Sequence, residues 1–287
     1  MDDVLVLCRF VHYSAALALF GSTLFRTLLG RLEPQTLTAL DRRLLLGQRL
    51  VAGLAIVSAL AWLLLVAASM GGASVSELTP SILLAVLGKT FFGKVWCWHL
   101  VSCFGLLLVL VRSWRGEHLL RPVLAGLLLA SLAPVGHGAM LDGWAGRGLV
   151  LNQVIHLLCA GAWFGGLLLL AGLLYQSPEG THMAALRRFS GVGYGLVAGV
   201  TLSGLLNVWG LVGTWPTPYA STFGLVLTIK LALVGVMLAL ALVNRLALAF
   251  RQRYLLALRR SVMLEWCFGL AAVAAVSLLG TLSPVPG

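Results

Sequence analysis

Eight long apolar runs follow one another along the chain, each exceeding the roughly 18 residues that mark a candidate transmembrane helix. No other feature constrains the fold as strongly. In hydrocarbon every backbone N–H and C=O must be satisfied within the segment or by a closed barrel, and runs this long and uniformly apolar satisfy it only as helices. A barrel strand would alternate apolar and polar residues in segments of about ten, and no such alternation occurs here. The runs predict an all-α integral membrane protein of eight transmembrane helices, near residues 4–28, 47–69, 91–111, 121–141, 152–175, 190–213, 222–244 and 262–283. Charged residues make up 10% of the 287, far below the roughly 25% of a soluble domain, and little chain is left over for one. The first run begins Met1-Asp2-Asp3 without a basic stretch and is expected to be a true span, not a cleaved signal.

The net charge of +11 would suggest nucleic acid in a soluble protein. Its distribution points instead to topology and lipid headgroups, with no nucleic acid as partner. Connections after the first, third, fifth and seventh spans hold Arg26, Arg31, Arg42, Arg43 and Arg49, then Arg112, Arg115 and Arg121, then Arg187 and Arg188, then Arg245, Arg251, Arg253, Arg259 and Arg260. The opposite side holds Lys89, Lys94 and Arg147. The positive-inside rule places the arginine-rich side in the cytoplasm and both termini outside.

The spans read as a four-helix unit written twice, over residues 1–145 and 146–287, within one membrane domain. VHYSAALALFG (11–21) aligns with IHLLCAGAWFG (155–165), pairing His12 with His156 and Gly21 with Gly165. LVAG recurs at 50–53 and 196–199, and FGKVWCWHL (92–100) aligns with FGLVLTIKL (223–231), setting His99 opposite Lys230. Units with an even number of helices share one orientation and are related by a pseudo-two-fold axis along the membrane normal.

Chemistry is concentrated in the histidines. His118 and His182 fall in arginine-rich connections and read as solvated. His12, His99, His137 and His156 lie within spans, each within roughly 12 Å of the outer boundary at about 1.5 Å rise per residue. Ionisable side chains in a span are costly and usually face the bundle interior. Soft side chains accompany them: Cys8 four residues before His12, Cys159 three after His156, Met140 three after His137, and Met70 at the end of the second span. Imidazole, thiol and thioether together suit copper, Cu(I) above all. The competing reading is packing: a single intramembrane histidine is commonly a hydrogen-bonded core residue, and Cys8, Cys97, Cys103, Cys159 and Cys267 also read as small buried hydrophobes. Two histidines on facing helices, such as His12 and His156, could alternatively ligate a b-type haem. Arg9 and Lys230, cations within the spans, fit neither picture. Acidic residues in the spans are nearly absent, Glu265 being the exception.

No Gly-rich phosphate loop, HExxH or phosphorylated-pump segment occurs, so neither a hydrolase nor an ATP-driven machine is expected, and no enzymatic role is assigned.

GHGAML (136–141), IHLLCAGAWFGGLLLL (155–170), LRRFS (186–190), and TPYASTFGLVLTIKLAL (217–233) followed by Asn244-Arg245 resemble the CopD/PcoD copper resistance family. Ala220 stands where that family usually has glycine. The resemblance implies an inner-membrane protein moving copper between periplasm and cytoplasm, commonly by uptake, with a separate periplasmic CopC-type chaperone as partner. Its metal role carries over to His12, His137 and His156; His99 joins them on depth alone.

Overall fold

The computed structural model describes residues 2–29, 34–112, 114–136, 143–176, 181–213, 221–248 and 255–282. Nine α-helices lie within them: α1 (Asp2–Leu28), α2 (Pro34–Gly71), α3 (Pro80–Lys89), α4 (Phe91–Val111), α5 (Glu117–Ala130), α6 (Gly143–Gln176), α7 (Thr181–Val212), α8 (Thr222–Val243) and α9 (Leu255–Leu279), with no strand among the described residues. All but α3 belong to stretches long and apolar enough to cross a membrane, giving the eight expected spans.

The boundaries differ from expectation in three instructive ways. Hydropathy marks only the part of a helix that lipid covers. α2, α6 and α7 therefore begin well before their apolar stretches; in α2 and α7 the added turns carry Leu, Ala and Arg, which are good helix formers. In the fourth span the α-helix ends early: α5 stops at Ala130 and the chain tightens into a 3₁₀ turn over Ala133–Val135, while residues 137–141 of the expected span lie outside the described residues. Pro134 within that turn has no N–H to give and disfavours helix in the residue before it. Residues 70–90 are not a plain connection, because they contain α3, apolar but at ten residues too short to span. Thr79 caps α3 by accepting from the Ile82 amide, and Thr90 caps α4 by accepting from Gly93 at 2.9 Å. A Cβ at Gly93 would lie 2.0 Å from the Val86 carbonyl, so only glycine lets α4 turn off α3 this closely.

α1 and α6 form the centre. They meet at Gly21, where a Cβ would lie 2.2 Å from the Gly161 carbonyl oxygen and 2.6 Å from the Gly165 Cα. The two glycines that the repeat pairs are thus each other's contact. With no hydrophobic drive between helices in lipid, such backbone-to-backbone packing supplies the attraction. α2, α4 and α5 gather around α1, and α7 and α9 around α6, with α8 on α9. One contact is not mirrored. α2 packs on α4, whereas α7 and α8, which hold the corresponding places in the second half, barely touch among the described residues.

Leu50, Val57, Leu84, Trp98, Leu202 and Trp209 are exposed outward, as lipid-facing side chains are. At the arginine-rich end, arginines cap helix C-termini, where carbonyls lack partners. Arg49 donates to the Leu110 carbonyl of α4 at 2.8 Å, and Arg188 to the Leu28 carbonyl of α1. Arg26 pairs with Asp41 across the α1–α2 connection. The basic residues at this end therefore also stitch the bundle together.

Candidate metal centre

His12 lies ten residues into α1 and His99 eight into α4, both starting from the arginine-poor end. Both are fully buried. Their Nε2 atoms face each other at 2.8 Å. Each ring is held from behind: His12 Nδ1 lies 2.9 Å from Ser58 Oγ of α2, and His99 Nδ1 lies 2.8 Å from Ser131 Oγ just beyond α5.

The serines decide which ring nitrogen carries the proton. Ser58 Oγ is 2.8 Å from the Leu54 carbonyl and Ser131 Oγ is 2.7 Å from the Leu128 carbonyl. Oxygens this close need a hydrogen between them, and each hydroxyl has only one to give. That hydrogen goes to the carbonyl, so each serine accepts from Nδ1–H of its histidine. The network therefore assigns both rings the Nδ1–H form, with an Nε2 lone pair aimed at the other. Two lone pairs at 2.8 Å repel unless something electrophilic sits between them: a shared proton or a metal ion.

Aromatic rings wall the pair. Trp96 stacks on His99 with centroids 4.6 Å apart, and Trp62 meets His12 edge-on at 5.7 Å. The Trp96 indole donates to the Ala59 carbonyl at 3.0 Å, fixing its plane. Arg9, unexplained by the sequence, lies with its guanidinium 5.0 Å from the Trp62 centroid and donates to the Gly280 carbonyl at 3.3 Å, beyond the end of α9. It braces Trp62 and caps a helix.

His156 repeats the device in the second half. Its Nδ1 lies 3.0 Å from Ser203 Oγ of α7, and Ser203 in turn donates to the Gly199 carbonyl. The described neighbours of this ring are Ser203, Gly204 and the charge of Lys230 on α8, not His12 or His99. In the first half the first and third spans thus meet through a histidine pair; in the second, Lys230 of the third span acts on His156 only through its charge, and the two helices are not closely packed among the described residues. A polar ladder continues from Ser203: Asn152 donates to its carbonyl and to Asn207 at 2.8 Å, and Asn207 donates to Gln153 at 2.6 Å.

Cys8 is buried beside the pair but on its serine side, with Sγ donating to the Ser58 carbonyl at 3.2 Å. Cys159 Sγ packs against Gly199 of α7, and Met70 is exposed. His137 and Met140 lie outside the described residues. Among the described residues no three His, Cys, Asp or Glu side chains are grouped closely enough to hold a metal, and no disulfide joins the cysteines. The expected four-histidine cluster is thus, within the described residues, a pair plus a separate third. The haem alternative joins His12 to His156, but His12 Nε2 is directed at His99. Ser58, Ser131 and Ser203 were not singled out as functional by sequence. Their only signal is a hydroxyl in an apolar helix, a turn or less from a backbone acceptor.

Comparison with known proteins places this geometry in context. Residues 1–147 match the family described as "Copper resistance protein D-like, N-terminal domain", and residues 183–279 match "Copper resistance protein D". Similar curated proteins include the inner membrane protein YebZ of Escherichia coli K12, 33% identical over 96% of this chain and 97% of that one. Copper resistance protein D of Pseudomonas syringae pv. tomato is 30% identical over 99% and 97%, respectively. The copper transport protein CutJ of Bacillus subtilis is 26% identical over 97% of this chain and 52% of CutJ. No solved structure gives a significant match.

Proposed function

Since this chain belongs to the copper resistance protein D family, we propose that it serves copper homeostasis as a multi-pass protein of the bacterial inner membrane and captures copper between His12 and His99. One observation carries the site: two buried Nε2 atoms face each other at 2.8 Å, with a serine oxygen behind each ring at Nδ1. Neutral imidazole suits copper, and the Nδ1–H hydrogen bond to an outer partner is the usual companion of a metal-bound histidine. Cu(I) accepts two ligands in line, which is what a pair offers. Two metal–nitrogen bonds of about 2.0 Å each span roughly 4 Å, so the rings part by about 1 Å when the ion replaces the shared proton. The apolar, aromatic wall disfavours a hydrated, hard cation.

The second half explains Lys230. The charge of Lys230 acts on His156 there, and we infer that it stands in for the positive charge that a proton or copper supplies in the first half. Cys8, Cys159, Met140, His137 and Met70 are the proposed stations on a ligand-exchange path.

From the arginine distribution we infer that the pair faces the periplasm, with both termini on that side, and uptake is the proposed direction. A periplasmic chaperone of the CopC type is the proposed donor. A C-terminal fusion to an enzyme active only in the periplasm tests the orientation and is expected to be active.

The site is tested by anaerobic Cu(I) titration of detergent-purified protein against a competing chelator, with tryptophan fluorescence and an absorption spectrum recorded together. Wild type is expected to bind copper, with quenching from Trp96 and Trp62, and to show no Soret band. His12→Ala/His99→Ala is expected to lose both binding and quenching. Unchanged binding by that variant refutes the site, and a Soret band replaces the reading with haem.

A further inference from the structure

Glu265 on α9 is the one acidic side chain buried among the described residues, and the described side chains around it supply no counter-charge. Its two carboxylate oxygens accept hydrogen bonds from neutral donors only: Trp163 Nε1 at 2.7 Å and Asn244 Nδ2 at 3.0 Å. Among the described residues no lysine, arginine or histidine pairs with it. The neighbouring cation, Arg245, is committed elsewhere, donating to the Ser190 carbonyl at 2.8 Å with its guanidinium 3.4 Å from the centroid of the Tyr194 ring. An ionised carboxylate held in such a place without a counter-charge is costly, and groups so placed either keep a proton or hold a cation.

Three further observations point to a ligand here. Asn244 Oδ1 is buried and has no hydrogen-bond partner among the described residues. Glu265 and Asn244 line a cavity of about 170 Å³ at the arginine-rich end, bounded by α6, α7, α8 and α9. This is where α7 and α8 stand apart although α2 and α4, in the corresponding places, pack together. Finally, α8 passes into a π-helix over Asn244–Leu248, a wider turn that often marks functional positions. The titratable or charged groups lining the cavity are Glu265, Arg245 from the end of α8 and Tyr194 from α7, and α6 adds none. Among the described residues no histidine, cysteine or methionine lines it, and the ligand atoms it offers there are hard oxygens, unsuited to Cu(I).

We propose that Glu265 and Asn244 form a second site, which takes a hard monovalent cation, a proton or Na⁺, from the arginine-rich side of the membrane. It shares no residue with the His12–His99 pair, so the two readings stand or fall separately.

Infrared difference spectroscopy of the detergent-purified full chain tests this, comparing acid with alkaline pH in K⁺ buffer and then Na⁺ with K⁺ at fixed pH. If the ligand is a proton, acidification brings up a carboxylic acid C=O band. If Na⁺ competes for the site, withdrawing it at fixed pH raises the same band. The band is expected to vanish in Glu265→Gln and to shift in Trp163→Phe, which keeps the acid and removes one donor. The Trp163→Phe shift assigns the band even if Glu265→Gln fails to fold. His12→Ala/His99→Ala is expected to retain it. A band that is absent, or that neither pH nor Na⁺ moves, overturns the proposal.

Discussion

Replacing Ser58 with alanine removes the acceptor behind His12 while leaving the imidazole in place. The Nδ1–H that bonds Ser58 Oγ at 2.9 Å would then face a methyl group in a fully buried site. A buried donor left without a partner costs about 1–3 kcal/mol. Without copper the ring escapes most of that cost by rotating or changing tautomer. With copper on Nε2 it cannot, because the metal forces Nδ1 to keep its hydrogen. The cost therefore falls on the copper-bound state, and about 1.4 kcal/mol per tenfold gives an affinity loss of roughly 5- to 150-fold, in line with the 10–100-fold typical of outer-sphere partners. Ser131→Ala acts on His99 by the same route and should cost a similar factor. Ser203→Ala serves as the control, since it frees His156 and should leave copper affinity within about twofold. Competition titration under anaerobic conditions measures all three, and Ser58→Thr, which restores a hydroxyl, should recover most of the loss. If Ser203→Ala weakens binding as much as Ser58→Ala, or if Ser58→Ala has no effect, the tautomer argument is refuted.

Acidification should weaken copper binding, because protons compete for the same Nε2 lone pairs, and affinity measured across pH should fall toward the acid side; a flat profile contradicts a histidine pair. Lys230→His places an imidazole where the repeat sets a partner for His156, and metal analysis should then show more copper per chain than wild type. Gly21→Leu drives a side chain into the Gly161 carbonyl and Gly165 backbone, which cannot yield as a side chain would. A loss of several kcal/mol is expected, read as a lower unfolding temperature or no monodisperse protein in detergent.

How much of this was legible in the sequence follows from what each signal measures. Apolar length located all eight spans, since lipid allows no other use for such runs, but it could not mark the ends of α2, α6 and α7, which lie outside the lipid-covered stretch. α3 escaped because ten apolar residues are too few to span a bilayer and carry no helical signal that a connection lacks. Depth brought His12 and His99 to one level, yet pairing them required knowing that α1 and α4 face each other across Trp62 and Trp96. His156 matched the same depth and belongs to a different set of contacts, because depth says nothing of direction around a helix axis. The serines were invisible for a related reason: a serine in an apolar helix commonly bonds its own backbone, and only the histidine behind it gives it a task. Arg9 and Glu265 stood out as misplaced charges, and tertiary structure alone supplied the Gly280 carbonyl for one and the Trp163 indole for the other.

X-ray absorption at the copper edge of the Cu(I)-loaded protein examines the metal's own neighbours. A low-coordinate ion with nitrogen scatterers bearing the outer-ring pattern of imidazole is predicted, and that pattern should be absent from His12→Ala/His99→Ala. A first shell dominated by sulfur, or one unchanged when both histidines are removed, contradicts the account.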